Sequence, residues 1–223
     1  TAELLAKECA ISREAQDDFA LQSHRRAVAA LDSGRMAEET VPVFAPPYER
    51  AVTQDVGPRR EQSLEALAKL RPFFDRRYGT VTVGNSCPVT DGAAAVLVAS
   101  AEKARALGLK PAGKLRGYAF AGLDPARMGL GPTHATPIAL KRAGVKLSDI
   151  GLVELNEAFA AQVIANEIAM ASAKYCREKL GLDGPIGELD RAMLNVNGGA
   201  IALGHPVGVS GTRLVLTLLR EMR

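Results

Sequence analysis

LNVNGGAIALGHPVGVSGTR, residues 194–213, holds the densest run of structural signals in the chain. Met193–Val196 predicts a strand, closed by the pair Gly198-Gly199. A second glycine-rich turn follows at Gly204, Gly208 and Gly211, and Gly208–Met222 predicts an amphipathic helix. Glycine permits tight turns and lets a ligand approach the backbone closely. A helix start presents unpaired N–H groups and the positive end of a dipole. His205 lies in the middle of this turn, directly before Pro206. The dipole disfavours imidazolium there, and a neutral imidazole can take a proton from a thiol or hydrogen-bond a carbonyl. A turn histidine that only caps its loop is the other reading. The Walker lysine and the Rossmann glycine spacing are both absent, which argues against a phosphate loop.

Working outward, ELNEAFAAQ (154–162) reads as the end of a short strand, Ile150–Glu154, followed by a long apolar-faced helix, Glu157–Ala173. Asn156 offers a donor and an acceptor, so it can fix a water or a carbonyl. It also suits a simple helix cap, with Glu157 favourable in the first turn. Further back, GTVTVGNSCPVTDGAA (79–94) places small polar residues in a glycine-bracketed turn, either a ligand groove or a tight connection.

Residues 1–36 predict helix, with Ser12 as a cap inside it and Gly34 as its end. Residues 41–62 carry four prolines and predict an irregular excursion, and Ser63–Leu70 a short helix. Thr80–Val83, Ala93–Val98 and Leu115–Phe120 predict strands, Ala93–Val98 a buried one. Ala101–Leu107 and Thr136–Ala143 predict helices, and 181–187 a turn-rich surface insertion. Alternating strands and helices imply an α/β fold. An organisational boundary falls near Tyr78, dividing 1–78 from 79–223.

The composition is that of a globular chain: 223 residues, 47% hydrophobic and 24% charged. A net charge of +3 and 4% aromatic residues give no stacking platform for nucleic acid. No apolar run reaches the ~20 residues of a membrane span. The opening residues lack the pattern of a cleavable leader. Cys9, Cys87 and Cys176 lack metal spacing, and their sparse, odd count points to a reducing compartment, so a cytoplasmic location is expected.

In this order and at these distances, the three segments resemble the thiolase family, the 3-ketoacyl-CoA thiolases and acetyl-CoA acetyltransferases. TAELLAKECAISREAQDDFALQSHRRA (1–27) resembles the family's loop-domain helices. KLRPFF (69–74) and GTVTVGNS (79–86) resemble its return to the core. NEAFAAQ (156–162) and NVNGGAIALGHPVGVSG (195–211) are the specific motifs.

The resemblance implies a layered αβαβα fold. Residues 1–78 would be the latter part of the loop domain, and 79–223 most of the C-terminal half, incomplete at its end. It implies acyl transfer between CoA and 3-ketoacyl-CoA through a cysteine thioester, in either direction. The nucleophilic cysteine would precede residue 1 and a second, acid/base cysteine would follow residue 223. His205 would activate the nucleophile and help bind the thioester oxygen, and Asn156 would hold a water that completes that oxyanion site. Glu157 and Asn197 would support them. Ser86 and Cys87 would line the pantetheine arm of CoA, although Cys87-Pro88 stands where the family often has Ser-Gly. Arg59 would meet a CoA phosphate, with Arg60 as backup, or be merely solvated. Met128 and Phe159 would be apolar walls. CoA is then a substrate, and no metal or redox cofactor is implied. Expected partners are CoA thioesters and either a homo-oligomer, dimer or tetramer, or a hydratase/dehydrogenase subunit. A thiolase-like CoA-binding or interaction protein without catalysis is the alternative.

Overall fold

The structure, a computed structural model, describes residues 1–223. The chain opens with α1 (Ala2–Glu8) and α2 (Arg13–Asp32). The predicted single helical stretch breaks between them, because Ala10 takes a positive φ of 50° and Ser12 starts a new helix. Its Oγ accepts from the Ala15 N–H at 3.1 Å, which satisfies one of the unpaired donors of a helix start. Gly34, at φ 76°, ends the segment as expected. Residues 41–62 carry only the two-residue strands β1 (Val43–Phe44) and β2 (Ala51–Val52), paired antiparallel. Next come α3 (Leu64–Ala68), α4 (Ala101–Ala106) and α5 (Gly131–Ala143). The series closes with α6 (Ala160–Ala171), α7 (Ala173–Leu180), α8 (Ala200–Leu203) and α9 (Ser210–Glu221).

The core forms where α1, α2 and α6 meet. Leu5, Phe19, Ala20, Ala161, Val163 and Ala165 are buried together with Leu67, Val81, Leu194 and Ile201. α6 buries residues around most of its circumference, as expected of a helix enclosed by the fold. It carries no acidic residue in its first turn and starts three residues later than the sequence predicts. The delay is caused by the backbone. Ser86 and Phe159 form an antiparallel bridge, the Cys87 N–H donates to Ala158 O at 3.0 Å, and the Ala160 N–H donates to Asn85 O at 2.9 Å. These bonds hold residues 157–159 extended. Ser172 then interrupts the predicted helix, because its Oγ caps α7 by accepting from the Tyr175 N–H at 3.1 Å.

The predicted strands differ most. Ile150–Glu154 and Met193–Val196 meet in one parallel bridge, Val153–Leu194. Thr80–Val83 is not a strand, because side chains take the place of a ladder. The N–H groups of Thr80 and Val81 donate to the Glu3 carboxylate, each at 3.0 Å. The Thr82 N–H donates to Asn85 Oδ1 at 2.8 Å. Ala93–Val98, expected to be buried, exposes Leu97 and Val98 and has no ladder partner within these residues, and Leu115–Phe120 is likewise unpaired and largely exposed. The 181–187 segment is tied down, with the N–H groups of Ile186 and Gly187 both donating to Met170 O.

Candidate active site

Two loops converge on His205. One is the turn from Gly204 to Ser210, between α8 and α9. The other is the extended run 153–157 that precedes α6. His205 Nδ1 lies 2.6 Å from Ser210 Oγ, and His205 Nε2 lies 3.4 Å from Asn156 Nδ2. The network assigns the tautomer. Ser210 Oγ donates to Pro206 O at 3.3 Å, so it accepts from Nδ1–H. The Nε2 lone pair then faces the Asn156 amide. Burial, followed by the charge of Arg213, lowers the His205 pKa below its ordinary value of 6.5. The imidazole is therefore neutral at pH ~7, with its basic nitrogen on the Asn156 side.

Asn156 is not a helix cap, since Phe159 occupies that position. Its Oδ1 is buried with no hydrogen-bond partner in the protein. A buried amide oxygen without a donor is uncommon and suits a site that holds a polar group. Asn156 and His205, 49 residues apart, thus come together, as the family resemblance implies.

Glu157 has a different position from the expected helix first turn. It is buried beneath the site, and its carboxylate accepts from Ser23 Oγ at 2.6 Å, Asn195 Nδ2 at 2.8 Å and the Ile201 N–H at 3.2 Å. Burial raises its pKa, while these donors oppose the rise. The carboxylate ties α2, the end of the Leu194 bridge and α8 together below His205. The glycine pair has its explanation here. A Cβ on Gly199 would overlap the Glu157 carboxylate, and one on Gly198, at φ 79°, would lie 2.7 Å from Ser23 O on α2. The two glycines therefore serve close packing of protein on protein. Asn197, expected to support the site, turns away and donates to Glu221 at 2.8 Å. Asn195 takes that role. It adopts φ 47°, its Oδ1 accepts from the Leu155 N–H at 2.8 Å, and its Nδ2 donates to Leu155 O at 2.8 Å. Sequence reading also missed Ser210, although its place five residues after the histidine in a turn that opens a helix was a usable signal.

The predicted groove residues divide. Phe159 stacks edge-on against Phe74, with ring centroids 5.9 Å apart, and Phe74 against Phe73 at 5.1 Å. Phe74 joins this apolar wall without having been singled out from the sequence. Ser86 donates inward to Thr82 O at 2.6 Å. Cys87 is half-buried, and burial raises its thiol pKa, so it is no thiolate at neutral pH. Met128 is exposed on the turn Pro125–Leu130. Arg60 is held by Asp32 through two bonds of 2.7 and 2.8 Å. The Arg59 backbone N–H donates to His24 Nδ1 at 3.2 Å. Cys9 packs against the main core and Cys176 is buried in α7, so the residues described provide no cysteine activated beside His205.

The sequence matches the family described as "Thiolase, N-terminal domain" over residues 1–102 and "Thiolase, C-terminal domain" over residues 109–223. The chain belongs to the thiolase family. It is 49% identical over its full length to a 3-ketoacyl-CoA thiolase of Pectobacterium carotovorum and covers 51% of that protein. Among solved structures, human mitochondrial 3-ketoacyl-CoA thiolase in complex with CoA superposes with a TM-score of 0.86 at 43% identity, covering all of this chain and 51% of the other. The Bacillus anthracis acetyl-CoA acetyltransferase superposes at 0.87 with 38% identity, covering 99% and 52%. This thiolase chain thus spans about half the length of the relatives it matches, and it has the α/β thiolase fold. No helix in it is long and apolar enough to cross a membrane.

Proposed function

We propose that this chain is the part of a thiolase that supplies the catalytic histidine and the oxyanion-site asparagine for acyl transfer between CoA and 3-ketoacyl-CoA. The observation that carries the reading is the pairing of a neutral His205 Nε2 with Asn156, whose Oδ1 is buried and unpartnered. In the degradative direction Nε2 takes the proton of a cysteine supplied from outside residues 1–223. The thiolate attacks the 3-keto carbon, and the protonated imidazole becomes a donor at the same nitrogen. Together with a water held by Asn156, it hydrogen-bonds the thioester oxygen, where the charge of the leaving acetyl-CoA enolate collects. The carbon–carbon bond then breaks, the acetyl-CoA enolate is protonated by a second cysteine, and free CoA removes the acyl group. Condensation of two acetyl-CoA molecules is the reverse. One nitrogen serves as base and then as donor because the steps are separated in time.

Residues 1–78 complete the loop domain in this reading, and 79–223 form the C-terminal half. Phe159, Ser86, Cys87 and Met128 flank the pantetheine arm, and Arg59 meets a phosphate of CoA. Its guanidinium suits that contact better than that of Arg60, which Asp32 already holds. Names of the relatives support both 3-ketoacyl-CoA and acetyl-CoA as substrates. The unpaired cysteines support a reducing, cytoplasmic setting, and the protein works as an oligomer or with a hydratase/dehydrogenase subunit.

The test is CoA-dependent cleavage of a 3-ketoacyl-CoA by the whole polypeptide and its Asn156→Ala variant. Cleavage that falls by about a hundredfold in the variant supports the assignment. Binding of CoA thioesters without any cleavage by the natural protein would favour a non-catalytic binding protein instead.

A further inference from the structure

The two loops that carry Asn156 and His205 are joined a second time, away from their mutual contact. Arg213 lies in the first turn of α9, three residues after Ser210, the hydroxyl that orients His205. Its Nη1 donates to Glu154 Oε2 at 3.1 Å, and Glu154 stands two residues before Asn156. The Glu154 side chain is only 5% exposed. The result is a closed circuit: His205 to Ser210, along one helical turn to Arg213, across to Glu154, and back through Asn156 to His205. The only element of secondary structure that otherwise links the 153–157 run to its neighbours is the single bridge Val153–Leu194.

We propose that Glu154 and Arg213 are positioning residues for the proposed thiolase reaction, a part-buried pair that sets the spacing of Asn156 from His205. A buried pair of this kind contributes little net stability, because removing two charges from water offsets their attraction. Its value here is geometric, since neither residue touches the reacting atoms. It is also electrostatic. Arg213 disfavours a proton on His205. The groups facing Glu154 are Arg213, Glu157 and Glu39. Glu39, bonded to Thr217 on α9, itself faces Arg220 and Glu221.

The inference rests on the thiolase reading, and its test separates the two. Glu154→Gln and Arg213→Gln are made in the full protein, with Arg213→Lys as the conservative control. The pKa of His205 is read site by site from hydrogen exchange at imidazole C2 by mass spectrometry, which does not require activity. Without Arg213 the His205 pKa moves up, by about half a pH unit or more. Glu154, whose carboxyl burial pushes up to about 7, already holds its proton where His205 titrates, so Glu154→Gln leaves the His205 pKa nearly unmoved. In thiolysis both Gln variants are expected to lose about tenfold in kcat at nearly unchanged KM, and Arg213→Lys to recover part of it. Loss of packing alone does not raise the His205 pKa in Arg213→Gln while leaving KM unchanged in both Gln variants. An unmoved His205 pKa in Arg213→Gln overturns the proposal whether or not the protein is a thiolase, and so does full kcat in both Gln variants. An upward shift in a protein without thiolysis overturns only the reaction assignment.

Discussion

Ser210 Oγ accepts a hydrogen bond from His205 Nδ1 at 2.6 Å and donates onward to Pro206 O at 3.3 Å. The turn that opens α9 thereby sets which imidazole nitrogen keeps its lone pair. An orienting partner of this kind fixes tautomer and ring angle without meeting the substrate.

Ser210→Ala removes that acceptor, so the ring can adopt the other tautomer or rotate. kcat for thiolysis is expected to fall by about tenfold, a fraction of the ~10²–10⁴-fold attributed to general acid–base catalysis, while KM changes little. Steady-state kinetics beside a thermal melt checks this. An unchanged kcat in a folded variant would mean that Ser210 does not orient the base.

Asn195 and Asn197 separate by stability. Asn195→Ala strips one donor from the buried Glu157 carboxylate and two bonds from Leu155, and it places alanine at φ 47°. A loss of about 3 kcal/mol is expected. Asn197→Ala removes one part-buried bond to Glu221 and should cost about 1 kcal/mol or less. Urea unfolding of the two variants, read as midpoint and slope, measures the difference.

That pair also shows where sequence reading stops. Asn195 and Asn197 share a motif and a residue type, and only a positive φ at Asn195 aims one of them at Glu157. No local pattern announces that φ. Features set within a few residues were legible, namely the Ser12 cap, the stop at Gly34 and the final amphipathic helix. The meeting of Asn156 with His205 followed from family motifs. The strand expected at Ala93–Val98 was not realised, because a strand is defined by a partner and these residues have none in the chain described. Thr80–Val83 has strand-like alternation, yet Glu3 and Asn85 satisfy its amides. The glycines at 198 and 199 were legible as close approach, but the approaching atoms belong to α2 and Glu157 and not to a ligand.

Glu154 gives stability a pH dependence of defined sign. Burial raises its carboxyl pKa from 4.5 to about 7, and the attraction of Arg213 only partly opposes this. The folded chain therefore holds the proton more tightly than the unfolded chain. That contribution is fully present below the unfolded value and is lost as pH rises through about 7. Between about pH 5 and about pH 8 the natural protein should lose more Tm than Glu154→Gln, whose side chain does not titrate. Melting both proteins across that range tests it, and parallel curves would contradict the shift.

The most direct measurement of the central claim is single-turnover formation of the acyl-enzyme thioester from a 3-ketoacyl-CoA, followed by rapid quench and intact mass. It compares the whole natural protein with its His205→Asn variant. If His205 Nε2 is the base that generates the attacking thiolate, thioester formation slows by about a hundredfold or more while the substrate still binds. A variant that forms the thioester at the natural rate would remove His205 from the reaction and contradict the account.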